Sequence, residues 1–146
     1  MSRISAAVVG EAGDRILYIV ITKDDVPIKN GLFKLQHPGM LAVESWNSDV
    51  VKQSDDGIKM NTVVRTKKFF SDCVFPVSEA VIPLEETLID KYGRNAGGKL
   101  KPDSIPPKYS SVWNRVSSRF LDGELWNDLP ESGEDADGST ASEGGG

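Results

Sequence analysis

The sequence has one cysteine, Cys73, and one histidine, His37. A single cysteine forms no intramolecular disulfide, and a four-ligand zinc site would lack both sulfur and imidazole. Serine–histidine and cysteine–histidine catalysis would both have to run through His37. Long apolar runs are missing too. The longest, residues 16–21, falls far below the ~20 residues of a membrane-spanning helix, so no membrane partner is expected. Residues 4–9 are apolar but contain Ser5 and run into Gly10-Glu11, too short a stretch for a secretory signal. The expected compartment is the cytoplasm, with Cys73 reduced. No internal repeat is visible.

The formal net charge is −5 over 146 residues, and it is unevenly placed. Residues 1–58 and 59–90 are close to balance. Segment 91–119 sets Lys91, Arg94, Lys99, Lys101, Lys108, Arg115 and Arg119 against Asp103 alone, a net of +6. Residues 120–130 contribute −3, and 131–146 contribute −5 through Glu131, Glu134, Asp135, Asp137 and Glu143. The first 130 residues are therefore neutral, and the acidity belongs to an appended tail. That tail has no large apolar residue to offset the entropy of ordering, so it is expected to be disordered. Its removal should raise the isoelectric point and leave the fold intact.

The expected fold class is α+β: a small antiparallel sheet of hairpins, then about four helices, then the acidic tail. Residues 1–130 are expected to form one domain, with strands in 1–36, helices in 38–92, a linker in 93–107 and a helix with a short coda in 108–129. The β-branched run Ile16-Leu-Tyr-Ile-Val-Ile-Thr22 reads as a mostly buried strand. Residues 4–9 are expected to pair with it through a turn at Gly10 to Gly13. Asn30-Gly31 signals a type I′ turn between Val26-Pro-Ile-Lys29 and Leu32-Phe-Lys-Leu35. Pro27 would put that piece on an edge.

From Pro38 the period becomes helical. Met40, Val43, Trp46 or Asn47, and Val50 recur at three- and four-residue steps, and Ser54-Asp55-Asp56-Gly57 supplies a stop. A second helix would place Met60, Val63, Val64, Phe70 and Val74 on one face and end before Pro76. A third starts at Pro83, carries Glu85 and Glu86 in its first turn, spaces Leu84, Leu88 and Tyr92 by four, and is capped by Gly93. Residues 93–107, rich in Gly, Pro and Lys, read as a linker. The last helix, about 107–121, has the clearest stripe in the chain: Tyr109, Val112, Trp113, Val116 and Phe120. Asp122-Gly123 stops it, and Leu125, Trp126 and Leu129 form the coda.

Patterns with chemical potential have plainer explanations. Gly93-Arg-Asn-Ala-Gly-Gly98-Lys99 matches phosphate-loop spacing, but Leu100 stands where a magnesium-binding hydroxyl is required, and the segment follows a helix rather than a strand. A flexible linker is the favoured reading. His37 reads as a loop or capping residue, and Cys73, beside Asp72 on a buried face, as an inert core thiol. Asp24-Asp25 and Asp55-Asp56 are turn signals. No catalytic residue, metal or cofactor is expected. The basic stretch 91–119, with Tyr109 and Trp113, raises single-stranded nucleic-acid binding as an alternative. Lys108, Arg115 and Arg119 mostly fall opposite the apolar stripe, however, which favours a solvated face, and the acidic tail could itself lie over the charge.

Leu32-Phe-Lys-Leu-Gln-His-Pro-Gly39, followed at once by a helix, and the helix end Phe69-Phe-Ser-Asp-Cys-Val-Phe-Pro76 resemble the landmarks of tail assembly chaperones of long-tailed bacteriophages. In that family a hairpin strand often enters a Leu-Gln-x-Pro-Gly step, and a later helix closes on a valine-rich segment ending in proline. Gln36, Pro38, Gly39, Val74 and Pro76 match; Phe75 replaces a small aliphatic residue, and an extra N-terminal segment precedes the hairpin. The similarity covers roughly residues 15–125. It implies a small, largely helical protein without catalytic activity, in the host cytoplasm. Its implied partners are the hydrophobic, helical tape measure protein and the tail tube protein recruited around it, with self-association possible. Such proteins often exist in a short form and a frameshifted longer one. A chaperone for an amphipathic helix needs an apolar groove or stripe with a polar rim. The candidate partner-binding residues are Tyr109, Val112, Trp113, Val116, Phe120 and Trp126. For any one of them, closing the chain's own core is the favoured use.

Overall fold

Six consecutive residues, Leu17 to Thr22, are buried, a pattern produced only when both faces of a strand are covered. The computed structural model, which describes residues 3–54, 57–60 and 62–130, shows what covers them. In chain order the elements are β1 (Ile4–Ala12), β2 (Ile16–Lys23), β3 (Val26–Gln36), α1 (Met40–Val50), β4 (Val51–Ser54), β5 (Gly57–Met60), α2 (Thr62–Asp72), β6 (Val74–Pro76), α3 (Pro83–Tyr92) and α4 (Ser110–Leu121). Short 3₁₀ turns occupy Pro102–Ser104, Pro107–Tyr109 and Glu124–Asp128. The fold is α+β, built on an antiparallel sheet of order β1-β2-β3-β6, with β4 and β5 forming a separate hairpin. Leu17, Ile19 and Ile21 face the larger core with Phe33, Leu35 and the apolar stripe of α4. Tyr18 and Leu32 face a smaller core with Val77 and Leu88 of the α3 side.

The turns fall at other places than expected. The β2–β3 hairpin closes at Asp24 and Asp25, both with positive φ (52° and 66°), the two-residue I′ pattern. Asn30-Gly31 does not turn the chain; β3 runs on through it. The register passes from Val20↔Leu32 to Thr22↔Pro27, so Ile21 alone opposes the four residues 28–31 in a large irregular bulge. Asn30 adopts φ 58° there, and a Cβ on Gly31 would lie 2.9 Å from the Ile21 carbonyl oxygen. Of the two positive-φ residues that a type I′ turn requires, Asn30 alone adopts one, and it serves a bulge. Likewise β1 continues past Gly10, where its register with β2 shifts, and the turn follows Ala12 at Gly13.

The second half departs further. α1 starts at Met40 and ends at Val50, and the stop signal lies in the β4–β5 hairpin instead; Asp55 and Asp56 themselves are outside the described residues. Val43 and Trp46 are buried as expected, but Met40 is 73% exposed. The side chains of residues 47–64, including Met60, Val63 and Val64, are also outside the description. α2 ends at Asp72, so Val74 belongs to a strand. Leu35↔Val74, Lys34↔Phe75 and Phe33↔Pro76 pair β3 with β6, and the apolar run before Pro76 is a three-residue edge strand in place of a last helical turn. Pro76 sits at its end, where a missing donor costs least.

Segment 93–107 is laid along the sheet rather than bridging freely. Asn95, 1% exposed, donates through Nδ2 to the carbonyls of Asn30 (3.0 Å) and Leu32 (3.1 Å), while its own N–H donates to Val77 O at 2.9 Å. The amide thus occupies the free edge of β3 where β6 stops short. Residues 131–146, expected to be disordered, lie outside the described residues.

Candidate partner-binding site around the last helix

α4 carries its apolar residues at the spacing of one helical face, and that face lands on the sheet. Val112, Trp113, Val116 and Phe120 are buried, with Tyr109 and Trp126 partly buried against the same core. Trp113 sits edge-on to Phe33, with ring centroids 5.1 Å apart, and to Phe70 at 5.3 Å. Phe120 stacks on Trp126 at 5.2 Å. The six residues are brought together, but their principal use is to close the core. The stripe is a lid on the sheet, the core-closing use favoured for each of its residues, because α4 covers the larger face of β2.

What remains accessible lies to either side of α4. On one flank, Tyr109 and Trp113 form one wall of an apolar cleft of about 130 Å³ whose floor is Ile21, Ile28 and Phe33. Leu100, Ile105 and Pro106 of the 93–107 segment close its far side. On the other flank, Val112 and Val116 meet Ser5 and Ala6 of β1 in a cleft of about 230 Å³ that Arg115, Arg119 and Asp128 make polar. Arg119 forms a two-pronged pair with Asp128. That hydrogen bond, followed by the charge of the guanidinium, holds the Asp128 carboxyl below the usual carboxylate range. Sequence reasoning missed Leu100, Ile105 and Ile28. The usable signal was their isolation: single apolar residues in a Gly, Pro and Lys-rich setting mark points of contact.

The residues with chemical potential are structurally engaged. Gly39 N–H donates to His37 Nδ1 at 2.9 Å, and His37 Nε2 lies 3.1 Å from Leu121 O. With Nδ1 accepting, the ring proton sits on Nε2 and caps the end of α4. Burial first, then the neighbouring Asp72 carboxylate, push the Cys73 thiol up to about 12, against the opposing influence of Lys99. A thiol so placed is inert. In the phosphate-loop-like stretch the donors point into the protein: Ala96 N–H to Asn30 Oδ1, Gly97 N–H to Asn95 Oδ1, and Lys99 Nζ to Val74 O at 2.7 Å. Lys99 also lies 3.7 Å from the Phe75 ring centroid, and burial lowers its pKa. Among the described residues no group of His, Cys, Asp and Glu is placed to hold a metal ion, and no helix is long and apolar enough to cross a membrane. Trp113, only 4% exposed, does not present a face on which a base could stack. Comparison with family models, curated proteins and solved structures returned no match.

Proposed function

We propose that this chain is a non-catalytic assembly chaperone of the long-tailed phage type, which keeps a hydrophobic, helical tape measure protein in solution in the host cytoplasm and helps bring tail tube subunits to it. The observation that carries the reading is the convergence of the two stretches on which the resemblance rests. Leu32–Gly39 and Phe69–Pro76, far apart in sequence, are neighbours through the β3–β6 ladder. Gln36 N–H donates to Cys73 O at 2.8 Å and Val77 N–H to Leu32 O at 3.3 Å, extending that ladder at both ends.

Two of the matching residues have clear mechanical roles in that unit. Gly39, at φ 101°, redirects the chain from strand to helix, and its carbonyl accepts the first helical hydrogen bond, from Val43 N–H. Val74 is fully buried under the sheet edge. The use of His37 and Cys73 as structural groups fits a protein that binds rather than catalyses, and clefts beside α4 fit an amphipathic helix as cargo. Co-expression with a tape measure protein tests the proposal: its soluble fraction should rise several-fold, and an unchanged fraction overturns it.

A further inference from the structure

We infer that the cleft between α4, the sheet and the 93–107 segment seats one large apolar side chain from an acidic amphipathic helix of a partner protein. This rests on the reading of the chain as a binding protein and assigns that binding a place and a chemistry. The volume, about 130 Å³, is close to the ~150 Å³ apolar cavity that takes a benzene-sized group. It fits one leucine or phenylalanine, not a longer segment. The walls are mostly apolar, with Ile21, Ile28, Phe33, Ile105 and Trp113 beside the ring of Tyr109, and the Asn30 side-chain oxygen already accepts from Ala96 N–H.

The chemistry of the occupant follows from the rim. Exposed Lys108 lies with its Nζ 5.4 Å from the ring centroid of the lining Tyr109, exposed Lys101 follows the lining Leu100, and Asp103 is the one acidic residue of segment 91–119. An apolar anchor flanked by carboxylates matches an apolar floor with an ammonium rim. A helix fits better than an added strand, because the β3 carbonyls beside the cleft, Asn30 and Leu32, already accept from Asn95. The chain's own acidic tail has the charge but no large apolar residue, so it cannot fill the cavity.

The test uses the full chain and two synthetic amphipathic peptides, one of leucine and glutamate and one of leucine and lysine, with binding followed by fluorescence anisotropy. The leucine–glutamate peptide should bind, more tightly at low salt, and the leucine–lysine peptide should not. Ile105→Trp, which fills the cleft, should weaken binding at least about thirty-fold, as loss of an anchoring pocket does. Lys101→Glu with Lys108→Glu, both at exposed positions, should weaken it about fivefold and flatten its salt dependence; this variant decides the matter should Ile105→Trp not fold. Absence of binding, equal binding of both peptides, or unchanged binding by a folded Ile105→Trp overturns the inference. So does a dimer that Ile105→Trp converts to monomer, since a second copy would then be the occupant. Rescue of a tape measure protein that survives Ile105→Trp would leave the proposed function standing and remove the cleft. Peptide binding without rescue would do the reverse.

Discussion

The two faces of the sheet are closed by different means. Over one face, α4, α2 and the coda bring Phe69, Phe70, Trp113, Phe120 and Trp126 into mutual contact, an aromatic core held by shape and apolar area. Over the other, α3 packs Leu84, Leu88, Ile89 and Tyr92 onto a smaller cluster and is fixed as well by a buried polar latch. Tyr18 donates its hydroxyl to Glu85 Oε2 at 2.8 Å, and Val81 N–H donates to Glu85 Oε1 at 3.0 Å. Burial first, then the Glu85 hydrogen bond and charge, raise the Tyr18 pKa well above its ordinary value. A large apolar face tolerates some looseness in the element that covers it. A small one needs directed hydrogen bonds to choose a single position for its helix, and each of them is costly to leave unmade.

Breaking the aromatic side should have the largest effect. Phe120→Ala, at a fully buried position between Phe69 and Trp126, should lower stability to urea by about 3–5 kcal/mol; a loss below about 1 kcal/mol would mean that α4 is not the main lid. On the polar side, Tyr18→Phe leaves the Glu85 carboxylate short of a donor and should cost about 1–3 kcal/mol. Glu85→Gln in the same background should recover part of the loss. Asn95→Ala takes the donor from the Asn30 carbonyl and leaves the Leu32 carbonyl with Val77 N–H alone, at a cost of about 1–2 kcal/mol, and hydrogen exchange should quicken across residues 95–97. Smallest is Arg119→Ala. Its pair with Asp128 is partly exposed, so about 1 kcal/mol or less is expected, diminishing with salt.

High pH separates the two faces without mutation. In the folded state both the Cys73 thiol and the Tyr18 phenol hold their protons more tightly than at their ordinary values of 9.0 and 10.0. Their contributions are complete below those values and decline as pH rises through them, because the unfolded chain then binds fewer protons. Stability should fall from about pH 9 upward. Cys73→Ala should remove the first part of the fall, on the α4 side, and Tyr18→Phe the later part, on the α3 side. Superimposable alkaline curves for wild type and both variants would contradict these assignments.

Local patterns carried the fold wherever one segment decided its own structure. The both-faces-buried β2, the α4 stripe and the α3 boundaries from Pro83 to Gly93 were all legible in the sequence. What was not legible depended on partners distant in sequence. Val74 looks helical until β3 offers it a ladder, and Asn30-Gly31 looks like a hairpin turn until Asp24-Asp25 has already made one. Segment 93–107 reads as a linker because its docking depends on a single amide, Asn95, meeting two carbonyls more than sixty residues away. The candidate site divides in the same way. Tyr109 and Trp113 were found by periodicity, whereas Ile28 and Ile105 reach the cleft only through the tertiary arrangement.

The late position of α4 has a consequence for the chain during its own synthesis. The meander of β1, β2 and β3 is complete at Gln36, but the helix that shields its larger face ends roughly 85 residues later. At ribosomal rates of about 5–20 residues per second, the nascent sheet spends roughly 4–17 s with its apolar side open. A protein proposed to shelter another chain's hydrophobic surface therefore begins life in need of shelter, and slowing translation between codons 36 and 121 should lower its own soluble yield before it affects any cargo.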